Sequence, residues 1–356
     1  MKKTSIDLPS VSTPNIEEEV IKHGMREGII LEKGVAVTYD KMLEWEDNLR
    51  KKFHFYTTYP DLFIDEVLTP TESNFKLLFT QRIFLRAMMR FSSVHITAAR
   101  GFSKTFISVL ALIMKCIFQP GSQIAITAPS KTQAADIGRQ KMKEILDRFP
   151  LLKRELFGEG NFGKDYAVLI FRNGSRLEIT AALETTRGRR YSGLLVDELR
   201  DQDGDKVNSI LLPTLVIARR TKSGTLNPYE KHSSTIFTTS ASSKSSYNYE
   251  KMLETFEMGI IKPTDSIVFG IDYRVPVIEG LIDFEYIQKM KLDPTYKDRD
   301  FEREFLSIYT SESEESWFNF NQLERHRKIK NAEWKAAKPI KDKEHFYLIS
   351  VNKIAA

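Results

Sequence analysis

The stretch that most restricts how this chain can fold is VHITAARGFSKTFISVLALIMK, residues 94–115. Val94–Thr97 reads as a buried strand, a short polar turn follows, and Lys104-Thr105 opens a long, almost wholly apolar helical segment. A strand that turns into a helix in this way points several backbone N–H groups at one spot, where phosphate oxygens are held. A lysine at that spot adds a charge, and a hydroxyl beside it is a ligand for Mg²⁺. The usual form of such a loop, G-x-x-x-x-G-K-[ST], wants glycines at 98 and 103, but Ala98 and Ser103 stand there. Gly101 keeps the turn pliable, whereas the Cβ of Ser103 restricts the backbone where close approach is needed. Taken alone, the match leaves open an ordinary helix start that carries Lys-Thr.

A second stretch bears on the same chemistry. GLLVDE, residues 193–198, is an apolar strand ending in Asp197-Glu198. An acid at the tip of a buried strand needs a partner, and Mg²⁺ is the natural one. Asp197 would hold the metal through water, and Glu198 would orient and deprotonate the water that attacks a γ-phosphate. The alternative is a strand that ends in two surface acids. STIFTTSAS, residues 234–242, is a further strand whose tip carries small hydroxyls. Thr238, Thr239 and Ser240 are candidates for sensing the γ-phosphate and coupling hydrolysis to movement, or they form a plain Ser/Thr-rich turn.

Around these motifs the text alternates between strand and helix. Apolar runs at 94–97, 123–127 and 193–196 are each followed by helical text, at 104–118, 131–149 and about 206–219. Further short β-type runs fall at 167–171, 176–180, 235–239 and 266–271. This pattern predicts an α/β domain with a mostly parallel sheet between helices. Asn173-Gly174 between two short strands predicts an inserted β-hairpin. Residues 61–93 read as helical, and a helix is expected around Tyr39–Phe53. The expected organisation is an N-terminal helical extension at 1–60, the α/β domain at 61–310, a charged linker at 311–345, and a strand at 346–356 that would begin a further domain.

Composition narrows the class further. The 356 residues are 41% hydrophobic and 28% charged, as in ordinary globular proteins. The single cysteine, Cys116, excludes an internal disulfide, and a buried, inert thiol in a reducing compartment fits. The N-terminus lacks the apolar core of a secretory signal. The longest apolar run, Phe106–Phe118, contains Lys115 and is too short to span a bilayer, so no membrane partner is expected. Six histidines with no ligand-like pairs argue against zinc. The net charge of +5 is compatible with touching nucleic acid in places but does not show it.

Taken in order and spacing, FTQRIFLRAMM, AARGFSKTF, LLVDE and TTSAS resemble the ATPase domain of the large terminase subunit of tailed bacteriophages. The resemblance covers roughly residues 60–310 and implies a P-loop NTPase fold of the RecA-like/ASCE kind. It implies ATP and Mg²⁺ as cofactors, with Gln81, Arg100, Gly101, Ser103, Lys104 and Thr105 at the nucleotide and Thr105 and Asp197 at the metal. The family's loop often carries an arginine four residues before the lysine, and Arg100 stands there, but the family usually keeps glycine where Ser103 is found. Gln81 matches the glutamine that reads the adenine edge; the alternative is a polar residue on a helix surface. Catalysis would rest on Glu198, with Arg100 acting in cis and Arg187 reaching a neighbouring subunit's nucleotide. The basic loop TTRGRRYSG, residues 185–193, also suits DNA phosphate or a solvated surface. Ser130, Lys131 and Gln133 suit the DNA backbone, while Ser130 equally suits a helix N-cap.

The partners implied are double-stranded DNA, a portal protein, a small terminase subunit and copies of the chain itself. These copies would form a ring on the procapsid in the host cell cytoplasm, from a chain that is monomeric in solution. Two readings remain beside the motor: a helicase-like P-loop DNA translocase and a non-hydrolysing P-loop scaffold. Large terminases also carry a nuclease whose first strand ends in a metal-binding aspartate. FYLISVNKIAA resembles that strand with Asn352 in the aspartate's place, so no DNA cleavage is expected.

Overall fold

The computed structural model describes residues 30–32, 35–37, 39–70, 72–181, 184–221, 223–227, 230–231 and 233–311. The expected linker beyond 311, the strand at 346–356 and Asn352 lie outside these residues. The chain divides into two units, Met1–Phe63 and Ile64–Ala356.

In the first unit β1 (Ile30–Glu32) pairs antiparallel with β2 (Val35–Val37), and α1 (Tyr39–Thr58) follows. The helix runs five residues past the expected Phe53. A strand pair in this extension was not expected from sequence.

The second unit is built on one sheet. Its elements in chain order are α2 (Phe79–Arg90), β3 (Ser93–Ala98), α3 (Lys104–Phe118), β4 (Gln123–Thr127), α4 (Lys131–Arg148) and β5 (Asn161–Phe162). After these come β6 (Ala167–Ile170), β7 (Arg176–Thr180), β8 (Gly193–Val196), β9 (Ser234–Thr239), α5 (Tyr247–Ile261), β10 (Ser266–Ile271), α6 (Phe284–Leu292) and α7 (Asp298–Glu304). The eight strands lie in the order β10-β3-β9-β8-β4-β7-β6-β5. The pairings from β10 through to β7 are parallel, and β7–β6 and β6–β5 are antiparallel.

The expected α/β fold with a mostly parallel sheet is therefore present. The central strands β3, β4, β8 and β9 are buried on both faces, which is why they read as near-continuous apolar runs rather than alternating ones. Helix α3 is buried along almost its whole length, which accounts for its apolar residues on every side. The expected hairpin is β6–β7, turning at Asn173-Gly174, where Gly174 takes a φ of +84° that a side chain would strain. It extends the sheet instead of interrupting it, because β7 pairs parallel with β4 on its other edge. The helix expected at about 206–219 is replaced by short irregular turns, with a π-helical stretch at Val207–Leu211 and a 3₁₀ turn at Leu212–Leu215. Pro213 lacks the N–H that a continuing α-helix needs.

One buried group makes the fold pH-sensitive. His95, in the middle of β3, is fully buried, and among the described residues neither ring nitrogen has a well-formed hydrogen bond, although the backbone of Asn248 favours the charged form. Burial, assisted by the charge of Lys251, lowers its pKa from 6.5 to about 3. The unfolded chain therefore binds a proton near pH 6.5 that the fold refuses until about pH 3, so stability is full above 6.5 and is lost as pH falls through that window. His95→Leu is expected to flatten the fall in melting temperature between pH 7 and pH 5 in thermal denaturation.

Candidate active site

The ends of the parallel strands decide which side chains meet. Val196 at the end of β8 pairs with Phe237 of β9, which sets Asp197 beside Thr238. Strand β3 flanks β9 on the other side, with Ile96 opposite Thr238 and Thr97 opposite Thr239. The turn that leaves β3 thus opens over the same edge as the acidic tip of β8. In an open parallel sheet this carboxyl edge is where ligands bind.

Three side chains tie that edge together. Thr105 Oγ1 donates to Asp197 Oδ2 at 2.8 Å, and Thr238 Oγ1 donates to Asp197 Oδ1 at 2.5 Å. The Asp197 N–H donates to the carbonyl of Thr127 at 2.9 Å. Asp197 is fully buried, so its two oxygens are fixed by hydroxyls from the helix start and from β9. Thr239 Oγ1 accepts from the backbone N–H of Arg200 at 3.2 Å and from Asn248 Nδ2 at 3.2 Å, which joins the β9 tip to the turn after Glu198. Ser240 is buried next to it.

The loop before α3 is folded around its own lysine. Lys104 Nζ donates to the carbonyls of Ala98 at 2.9 Å and Ala99 at 3.5 Å. Burial pushes its ammonium below the ordinary lysine range, against the opposing charges of Glu198, Asp197 and Glu304. Glu198 takes left-handed backbone angles, φ 48° and ψ 53°, which turn the chain sharply off β8. Burial raises its carboxyl pKa; Lys104 pulls it back and Asp197 pushes it up further. Lys104 and Glu198 therefore lie close enough for each to act on the other's charge.

Two loop positions, Gly101 and Ser103, take left-handed backbone angles. Gly101 has φ +78°, and a Cβ there would sit 3.0 Å from Ile282 Cδ1, so only glycine fits without strain. Ser103 has φ 62° and ψ 30°, a left-handed conformation in which glycine is at ease and serine is not. Ser103→Gly is expected to raise stability by about 0.5 kcal/mol, and Ser103→Val to lower it by about 2 kcal/mol, in thermal or urea denaturation.

Gln81 lies at the start of α2, buried, with Oε1 accepting from its own helix's Leu78 N–H at 3.1 Å. One turn on, Phe84 packs edge-on against Phe102 of the loop, with ring centroids 5.3 Å apart, so α2 stands against the loop that carries Lys104. The exposed-surface alternative for Gln81 does not hold. Arg100 projects from the loop and its Nε donates to Glu304 Oε2 at 2.8 Å. Arg187 is exposed, and its Nη1 donates to the carbonyl of Ser209 at 3.3 Å. Ser130 caps α4 by accepting from the Gln133 N–H at 3.1 Å, and Ser130, Lys131 and Gln133 are all exposed. Sequence reasoning missed Arg200 and Glu304, whose side chains meet across 104 residues of chain. No local pattern marks such a pair.

At the level of sequence, no family model and no curated protein matches the chain. Solved structures do. The large terminase ATPase domain of Thermus phage P74-26 superposes with a TM-score of 0.51 at 15% identity, over 70% of this chain and 98% of that one. The large terminase of bacteriophage HK97 superposes with a TM-score of 0.53 at 16% identity, over 71% of this chain and 55% of that one. The likeness thus spans nearly all of an isolated ATPase domain but only about half of a whole terminase, and at these identities it establishes the fold.

Proposed function

We propose that this chain, which shares the fold of the large-terminase ATPase domain, hydrolyses ATP and uses the energy to move double-stranded viral DNA into a procapsid. The observation that carries this reading is the Thr105–Asp197–Thr238 bridge beneath Lys104, with Glu198 on the next residue. A hydroxyl and a carboxylate are hard oxygen donors, which suit Mg²⁺. Among the described residues no group of three or more His, Cys, Asp or Glu could hold a metal by itself. Mg²⁺ is usually held by one or two protein oxygens together with substrate phosphates. Thr105 and Asp197 would hold it, and when bound it would neutralise charge on the phosphates.

The chain's own residues do the rest. Lys104 exchanges the Ala98 and Ala99 carbonyls for phosphate oxygens. Glu198 takes the proton of the attacking water, and its raised pKa brings it closer to neutral pH, where a general base works best. Thr238 keeps Asp197 oriented, and Thr239 passes any shift at β9 to the turn carrying Glu198. Gln81 sits where α2 meets the loop and would face the base. Arg187, exposed, suits a role at a neighbouring subunit's nucleotide in a ring of copies. The exposed start of α4, with Ser130 and Lys131, would follow DNA phosphates without reading sequence. A portal protein and a small terminase subunit complete the proposed machine, which would work in the host cell cytoplasm.

Lys104→Ala tests the reading. ATP turnover, measured with and without double-stranded DNA, is expected to fall by ~100-fold or more. Equal turnover in the variant and the wild type would rule the proposal out, and binding of nucleotide without any turnover would favour the scaffold reading.

A further inference from the structure

Beside the loop lies a cleft of about 540 Å³ whose lining includes Arg100, Arg200, Tyr296, Arg303 and Glu304. Arg200 comes two residues after Glu198 and is four-fifths buried. Its Nη1 donates to Glu304 Oε1 at 2.5 Å. Among the described residues its Nε makes no hydrogen bond and lies 3.5 Å from an Asp201 oxygen. Glu304, at the end of α7, accepts from Arg100 Nε through its other oxygen, and its carbonyl accepts the Arg100 N–H at 3.0 Å. One carboxylate thus engages two arginines, one from the phosphate loop and one from the turn that carries the acidic pair. Both Arg200 and Glu304 act electrostatically on Lys104, which places them around the same ammonium. Burial alone would raise the pKa of Glu304, but Arg200 and then Arg100 hold it below the usual carboxylate range, so it stays charged.

A guanidinium fork recognises carboxylate and phosphate by the same geometry. We infer that Arg200 is a second phosphate-binding arginine of this cleft, directed at the terminal phosphate of a nucleoside triphosphate, and that Glu304 is the internal anion it holds until that phosphate arrives. The inference rests on the nucleotide reading above. A terminal phosphate carries more charge than one carboxylate and can outcompete it, and the Arg200 Nε–H, which makes only a long contact to Asp201, has no hydrogen bond to give up. Its anchorage to Thr239 through the backbone links arrival of the phosphate to β9. A diphosphate lacks the group that Arg200 would hold, so Arg200 separates ATP from ADP.

The test compares binding of a non-hydrolysable ATP analogue and of ADP, each with Mg²⁺, in the full chain carrying Arg200→Ala, Arg200→Lys or Glu304→Gln, with Lys104→Ala as control. Arg200→Ala is expected to weaken the triphosphate by ~10- to 100-fold and leave ADP within about 2-fold, with Arg200→Lys in between. Glu304→Gln is expected to tighten the triphosphate several-fold and leave ADP unchanged, since Arg200 then gives up no ion pair. Equal losses for both nucleotides, or no loss, in Arg200→Ala overturn the inference. If that variant does not fold, Glu304→Gln decides: tighter triphosphate binding supports the inference, and unchanged or weaker binding overturns it. If Lys104→Ala binds both nucleotides like the wild type, the nucleotide reading itself fails; if only the Arg200 effects are missing, that reading stands and the role of Arg200 does not.

Discussion

Glu198→Gln is expected to cut ATP turnover by ~10³-fold while making the protein more heat-stable at pH 8. The two effects share one cause. Burial raises the pKa of Glu198, with Asp197 adding to it and Lys104 opposing. The folded chain therefore binds the proton more tightly than the unfolded chain does. That favourable contribution is fully present below the ordinary glutamate value of 4.5 and is lost as pH rises through the folded value. At pH 8 the ionised carboxylate is a liability to the fold and an asset to the chemistry. Glutamine keeps the shape, removes the buried charge and cannot accept the water's proton. The melting temperature of the variant should exceed that of the wild type at pH 8, and the gap should close as pH is lowered towards 4.5. The acid limb of the wild type's turnover should lie above the ordinary carboxylate range for the same reason. Melting curves that coincide at every pH would show that the Glu198 charge is not desolvated.

Sequence was most informative where strands are buried and parallel. Gln123–Thr127, Arg176–Thr180, Gly193–Val196 and Ser266–Ile271 were read with the bounds the structure shows, because turn residues bracket short runs of strand-forming residues. The meeting of Lys104, Thr105, Asp197 and Thr238 was legible in part, since a strand–turn–helix opening on Lys-Thr and a strand-end acid leave local patterns, and the structure brings all four to one edge. What pattern cannot give is strand order. Strand β8 ends at Val196 and β9 begins only at Ser234, yet β9 inserts between β8 and β3, and only that insertion puts Thr238 on Asp197. Nor does pattern reveal the Arg100–Glu304–Arg200 link, whose members come from a loop, a helix end and a turn. Ser103 was read as an impediment, and the structure gives that a physical form: a left-handed serine at the point where the loop becomes helix. The failed helix at 206–219 shows the opposite limit, because apolar spacing suggested a period that Pro213 and two changes of helix type break.

Asp197 should separate folding from chemistry when two substitutions are compared. Asp197→Ala removes the acceptor of two hydroxyls, Thr105 and the fully buried Thr238, and leaves a void beneath the loop. An unsatisfied buried hydroxyl costs about 1–3 kcal/mol, so a loss of about 3 kcal/mol is expected in urea or thermal unfolding, and turnover should vanish with it. Asp197→Asn keeps the volume and one acceptor oxygen, and a hydroxyl can rotate to accept from the new amide. Its stability should stay within about 1 kcal/mol of the wild type. Its turnover should still fall by ~100-fold or more, because an amide oxygen brings no charge to the proposed Mg²⁺ site. Added Mg²⁺ should recover part of the Asp197→Asn activity and none of the Asp197→Ala stability. If the amide variant turns over ATP like the wild type, Asp197 serves only to pin Thr105 and Thr238, and the metal must be held elsewhere.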